Sequence, residues 1–154
     1  MSIAIRPLSS DDLELICVHR VEMFRDAGVG DEALAPMIGN FRPWLAERLA
    51  DGRYFGFVAT DQGTPVASVG LMVIEWPPHP LHPDDDRRGY ILNMFVEPSR
   101  RRHGLGKRLM QLGDEEFRNR GVKLSVLHAT EKGRMLYLAL GWSETSEMAK
   151  RVSH

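Results

Sequence analysis

The chemistry-bearing residues of this sequence concentrate in one stretch, VEPSRRRHGLGKRLM, from Val96 to Met110. Arg100, Arg101, Arg102 and His103 are followed by two glycines spaced G-x-G, Gly104 and Gly106, and then by Lys107. The apolar run ILNMFV precedes them and a helix-forming segment follows. Amides at a helix start lack intrahelical partners and carry the positive end of the helix dipole. Glycine lets an anion approach that backbone closely. A strand end, a basic glycine turn and a helix start therefore form a phosphate or pyrophosphate site. Two familiar patterns fail here. Walker A, G-x-x-x-x-G-K-[ST], meets Arg101 at its first glycine and Arg108 after Lys107. The dinucleotide fingerprint G-x-G-x-x-G meets Leu109 at its third glycine. A solvated basic helix start is the plain alternative, and the preceding strand and the arginine three residues ahead of Gly104 weigh against it.

Several elements must position this turn. SIAIR (residues 2–6) alternates as a short strand. Ser9 or Ser10 caps a helix that runs to about Ala27, with Leu13, Ile16, Cys17, Val21 and Phe24 at helical spacing. Residues 31–50 read as two short helices broken by Gly39 and Pro43. YFGFVAT and VASVGLMVIEW form an antiparallel hairpin across DQGTP. The loop 77–89 is rich in proline and aspartate and should be exposed. GYILNMFVEP reads as a strand buried on both faces, followed by a helix over 103–121 and a second buried strand, VKLSVLHA. A helix closed by Gly141 and a last strand over 142–152 complete the order βααβββαβαβ. Gly113, inside a helix at a cost of ~1 kcal/mol, implies close packing on the sheet. The fold class is α/β, with a sheet that is antiparallel early and a parallel strand–helix–strand unit at its end.

Composition narrows the function. The 154 residues make one domain, 1–154, with 43% hydrophobic and 27% charged residues. Twenty Lys and Arg against 21 Asp and Glu leave a net charge of −1, which argues against nucleic acid as a partner. The single Cys17 excludes an intrachain disulfide and a cysteine-only metal site. No apolar run has signal-peptide or membrane-spanning character, so a cytoplasmic location is expected and no membrane partner.

The pattern V-x-P-x-x-R-x-x-G-[LI]-G, carried by Val96, Pro98, Arg101, Gly104, Leu105 and Gly106, resembles the acetyl-coenzyme A signature of GNAT-type N-acetyltransferases. GRMLYLALGW resembles the family's second signature through Tyr137, Gly141 and Trp142. Gly133 stands where alanine is usual and Thr130 where asparagine is common. The two motifs lie at the family's usual separation, and the element order matches over nearly the whole chain. The resemblance implies a mixed, mostly antiparallel central sheet flanked by helices, with a parallel, splayed strand pair over 90–96 and 122–128. It implies acetyl-CoA as acyl donor, with no metal. The turn from Arg101 through Arg102, His103, Gly104 and Leu105 to Gly106, with Lys107, would take the pyrophosphate. Met94, Phe95 and Val96 would line the pantetheine arm, and Thr130 falls in the cofactor-binding set. Tyr137 matches the usual general acid, which protonates the departing thiolate; a core aromatic is its other reading. Arg100 has no matched role and reads as a solvated charge.

The general base is open. Tyr90 stands where many members carry glutamate. Asn93 is the strand's one polar interior residue; it either helps hold a water or amine in the catalytic site or is a satisfied buried side chain. His128 has a suitable pKa but reads as well as a capped structural residue. His19, Glu22 and Asp26 on the first helix are further candidates, and a solvated helix face explains them equally. His79 and His82 on the proline-rich loop lack the fixed geometry of a metal site. Asp84, Asp85 and Asp86 read as a soluble loop, with attraction of a cationic amine as a second reading. Trp44 and Trp76 fit core or pocket lining. The function implied is acetyl transfer to a primary amine, small-molecule or peptide, by direct attack. The alternative is a non-catalytic acyl-CoA-binding sensor, supported by the missing glutamate. A third, nucleic-acid binding through the arginine cluster, has too short a basic stripe. Since many relatives dimerise, a homodimer is expected.

Overall fold

The structure is a computed structural model, and it describes residues 2–153. Its elements are β1 (Ile3–Pro7), α1 (Leu13–Asp26), α2 (Asp31–Asp51), β2 (Phe55–Asp61), β3 (Thr64–Glu75), β4 (Arg87–Val96), α3 (Leu105–Asn119), β5 (Ser125–Leu127) and α4 (Glu131–Ala139). The five strands form one sheet in chain order. The first four pair antiparallel and β4 pairs β5 in parallel. The hairpin between β2 and β3 turns at Gln62 and Gly63, whose φ values of 50° and 83° suit a tight hairpin turn.

Alternation along the strands sends side chains to two faces. Leu71 and Ile91 face α3, where Leu105, Leu109, Met110 and Phe117 complete one core. Their neighbours Met72 and Leu92 face α1 and α2, against Ile16, Cys17, Phe41, Leu45 and Tyr54. Gly113 packs closely as expected: a Cβ there would lie 3.2 Å from Leu71 Cδ2. Ser9 caps the entry to α1. The Asp12 carboxylate accepts the Ser9 N–H at 2.8 Å and two bonds from Arg6 at 2.9 Å each. No helix among the described residues is long and apolar enough to cross a membrane.

Three expectations need correction. Residues 31–50 form one helix, with Pro36 and Pro43 inside it. Each proline removes one backbone bond, but Leu34, Phe41 and Leu45 are buried along one side, and that burial holds the helix across the breaks. The expected last strand does not form: residues 142–153 contain no strand. Their sequence, WSETSEMAKRVS, spaces its few apolar residues too sparsely to give a continuous apolar side, and all but Trp142 are exposed. The strand expected over 122–128 pairs only through Ser125–Leu127.

That short pairing has its cause in β4. Gly89, Tyr90 and Ile91 pair with Ser125, Val126 and Leu127, and the ladder stops there. On the other edge the β3–β4 register shifts between Ser68 and Gly70, where Leu92 to Phe95 of β4 oppose fewer residues of β3. Asn93 sits in this bulge at φ +55°, a conformation that costs a non-glycine residue energy and persists only where its surroundings impose it. Asn93 Nδ2 donates to the buried Tyr54 hydroxyl at 2.9 Å, and Arg20 donates to Asn93 Oδ1 at 2.8 Å. The bent strand parts from β5, so the splayed parallel pair is present.

Tyr54 reaches Asn93 because Gly70 leaves room. A Cβ on Gly70 would stand 2.0 Å from the Tyr54 oxygen and 3.0 Å from the Leu92 carbonyl. Gly70→Ala should therefore expel the tyrosine and lower unfolding free energy by about 2 kcal/mol or more, the scale of core overpacking. A denaturant melt of the variant that matches wild type would show that the bulge does not need Tyr54.

Candidate active site

The basic turn follows directly from the bent strand. Pro98–Arg100 form a short 3-10 turn, and Arg102 and Gly104 then adopt positive φ of 66° and 79° before α3 begins. Arg108 donates to the Gly104 carbonyl at 3.0 Å, so the amides ahead of it have no helical partner. Space is open in front of Gly104, where an added Cβ would meet nothing within 4 Å. Arg102, His103, Lys107 and Arg108 are exposed. The turn thus presents unpaired amides, a helix dipole and mobile cations to one place.

Arg101 contributes differently. Its Nε donates to the Val96 carbonyl at 2.9 Å and its Nη2 to Asp26 at 2.7 Å. The guanidinium lies over Phe95, 5.5 Å from the ring centre. Its side chain braces the turn against β4 and α1, and its charge is already matched. Arg100, expected to be solvated, instead pairs with Asp61 at 3.0 Å and is only partly exposed.

β4, α3 and α4 converge at Gly106. A Cβ there would lie 3.3 Å from Met94 Cε, 3.4 Å from Leu136 Cδ2 and 3.9 Å from Val96 Cγ2. Met94 and Val96 therefore lie on the α3 face of β4, whereas Phe95 points to the α1 face and packs 4.9 Å from the His19 ring. Thr130 caps α4, its hydroxyl accepting the Gly133 N–H at 3.2 Å. One turn on, Tyr137 packs at the edge of the α3-side core with Trp142, ring centres 6.3 Å apart. Burial pushes its phenol pKa up, so at neutral pH it holds its proton. Its hydroxyl has no hydrogen-bond partner among the described residues, yet it is not sealed from solvent. Gly133 makes room for this ring, since a Cβ would touch it at 3.0 Å.

The structure brings none of the base candidates together with Tyr137. Glu22 pairs with Arg25, and Asp26 with Arg101. His128 lies beyond β5 rather than at the end of a buried strand; it is 67% exposed and 3.7 Å from Glu147. Both ends of the Asn93 amide are engaged, by side chains rather than backbone. Within the aspartate run, Asp85 is buried and paired with Arg87 at 3.0 Å. His82 is also buried. It accepts from Arg88 at Nε2, 2.9 Å, which leaves Nδ1 to donate to the Asp85 carbonyl at 2.8 Å. No cluster of metal ligands occurs among the described residues.

With this geometry in place, the comparisons are specific. The family model described as "Acetyltransferase (GNAT) family" matches residues 16–142. The chain belongs to the GNAT acetyltransferase family. A GCN5-related N-acetyltransferase from Ralstonia eutropha JMP134 is 55% identical, with a TM-score of 0.97 over 98% of this chain and 99% of that one. A predicted acetyltransferase from Clostridium acetobutylicum, solved with acetyl-CoA, shares the fold at 22% identity, TM-score 0.86, covering 97% of this chain and 95% of its own. An aminoglycoside acetyltransferase from an uncultured soil metagenomic sample shares it at 20% identity, TM-score 0.73, over 99% and 100% of the two chains. Among curated proteins, none matches by sequence. The GNAT domain accounts for the strand splay and makes this chain an acyl-CoA-dependent acetyltransferase.

Of the two readings of His19, base candidate or part of a solvated helix face, the structure overturns the solvated one. It is fully buried, its Nδ1 2.6 Å from Ser68 Oγ, and its Nε2 has no hydrogen-bond partner among the described residues. Desolvation lowers its pKa from 6.5 to about 4. The folded state thus resists protonation that the unfolded state accepts. Stability from this group is complete above pH 6.5 and is lost as pH falls toward 4, by up to about 3 kcal/mol. His19→Gln should remove that dependence. Denaturant melts at pH 7, 5.5 and 4.5 check it; parallel wild-type and variant profiles would refute it.

Proposed function

We propose that this GNAT enzyme transfers an acetyl group from acetyl-CoA to the primary amine of a small molecule or peptide. The observation that carries the proposal is the adjacency of two backbone surfaces: the β5-side edge of β4, which no strand covers past Ile91 although Arg101 takes the Val96 carbonyl, and the amides at the start of α3. The pyrophosphate would rest on the turn from Arg101 to Lys107, held by amides and by Arg102, His103 and Lys107. The pantetheine arm would run along Met94, Phe95 and Val96, completing the ladder that β5 abandons. Thr130 contributes by capping α4 at the slot's edge.

In the reaction, the amine nitrogen attacks the thioester carbonyl carbon. The C–N bond forms, the C–S bond breaks, and a backbone N–H near Val96 stabilises the oxyanion between. Tyr137 gives its proton to the departing sulfur, and the proton shed by the nitrogen returns through solvent. Asn93 serves by fixing the bulge rather than by touching the amine. The sensor alternative rests on the missing carboxylate base; an amine that arrives neutral removes the need for one. A homodimer belongs to the same reading, supported by exposed Met135 and Leu138 on α4 and Met148 and Val152 beyond it. A monomeric mass in light scattering at micromolar concentration would count against it.

Acetyl-CoA should raise the Tm of the wild-type protein, because a ligand of the folded state stabilises it. Gly104→Glu should lose that shift, since its carboxylate would occupy the open space before the turn and its φ of 79° disfavours a side chain. Normal cofactor binding by the variant would remove the turn from the phosphate site.

Tyr137→Phe should leave Tm and cofactor affinity nearly unchanged and reduce kcat by roughly 10²-fold. Intact turnover with lower stability would instead make Tyr137 a core residue. Neither quantity moving would mean that water protonates the thiolate.

A further inference from the structure

Among the described residues Arg20 is the one charged side chain bonded to Asn93, and nothing in the cofactor reading uses it. It projects from α1 and is half-buried. Its guanidinium lies between two aromatic rings, 4.4 Å from the centre of Phe41 and 5.0 Å from that of Phe24. Nε donates to Met37 Sδ at 3.3 Å, and Nη1 donates to Asn93 Oδ1 at 2.8 Å. Nη2 has no hydrogen-bond partner among the described residues and is not sealed from solvent. The carboxylates further along α1 are committed elsewhere, Glu22 to Arg25 and Asp26 to Arg101. Arg20 enters no ion pair among the described residues, and burial lowers its pKa.

A partly desolvated guanidinium without a counter-ion is costly, and proteins ordinarily offset it with a carboxylate. Here the aromatic rings and an amide oxygen hold the group in place but leave its charge unmatched. Its location gives the missing anion an origin. Arg20 stands on the α1–α2 face, bonded to Asn93. Asn93 lies two residues past Ile91, the last β4 residue paired with β5. A gap in a single sheet opens to both faces, and the phosphate turn takes the α3 side. The acceptor must therefore approach from the side where Arg20 waits.

We propose that Arg20 binds a carboxylate carried by the acceptor, so that the substrate is a small amine of amino-acid type and not a polycation. This rests on the acetyl-transfer reading. A planar guanidinium with free N–H groups suits a carboxylate, and Phe24 and Phe41 pack against it. Asn93 couples the two halves of the site, since the residue that bends β4 also aims Arg20. Polyamines and aminoglycosides would place further positive charge against this group.

The test uses the full-length protein with the twenty common amino acids, each paired with its carboxamide, and acetyl-CoA as donor. Carboxamides have less basic amino groups and more free amine at neutral pH, so basicity alone favours them. At least one amino acid should nevertheless exceed its carboxamide by about tenfold or more in kcat/KM, the scale of a charge-assisted hydrogen bond. Arg20→Gln should bring that ratio toward one, with the Tm shift by acetyl-CoA measured alongside to report on the slot. Arg20→Lys, which keeps charge but loses the planar fork, should keep part of the preference. The N-acetyl amino acid and its amide, added with CoA, should differ in Tm shift in the same sense. Turnover without preference for the carboxylate in any pair would overturn the proposal and leave acetyl transfer standing. Carboxylate-dependent Tm shifts that vanish in Arg20→Gln, without turnover of any pair, would sustain the site and sink the transfer reading. A panel with neither preference nor differential shift would overturn the proposal, whether or not the variants fold.

Discussion

The active end of this protein depends on one bent residue. Asn93 holds a left-handed backbone conformation in the middle of a sheet, where a straight strand would be lower in energy. Its side chain is fixed from both ends, by Tyr54 from the sheet and Arg20 from α1. Tyr54 is fixed in turn by burial and by the absence of a side chain on Gly70. Because side-chain contacts impose the bend, β4 leaves β5 after three paired residues and keeps backbone groups free beyond them. In an interior strand such groups would be unavailable to a ligand.

The same economy governs the charges. Cations that brace the fold are matched: Arg6 by Asp12, Arg87 by Asp85, Arg101 by Asp26. Cations at the mouth of the turn are exposed and enter no ion pair among the described residues. Arg101 links the two sets. Although it stands at the centre of the glycine-rich motif, its side chain ties α1, Phe95 and the β4 terminus together. A motif arginine can thus spend its charge on bracing the fold.

Histidine shows how far environment overrides residue type. His19 and His82 are buried and hydrogen-bonded within the core or the proline-rich loop, whereas His128 is mostly exposed. His19 is neutral because burial penalises its charged form, and that penalty also removes it from general-base chemistry near pH 7.

Local spacing in the sequence determined most of the elements. Alternation marked β1, apolar runs marked the interior strands and apolar periodicity marked α1, while two glycines among basic residues between a strand and a helix marked the turn, and its likeness to the GNAT signature lay in Val96, Pro98, Arg101, Gly104, Leu105 and Gly106. The sequence also placed Tyr137 on the helix closed by Gly141. Non-local contacts decided the rest. Pro36 and Pro43 stay inside one helix because Leu34, Phe41 and Leu45 bury against α1 and the sheet. The segment after Trp142 forms no strand, its described residues all exposed. The bulge at Asn93 and the aim of Arg20 depend on residues 39 and 73 positions away in the chain. Such contacts leave no periodic trace, since each partner satisfies its own local pattern and only packing brings them together.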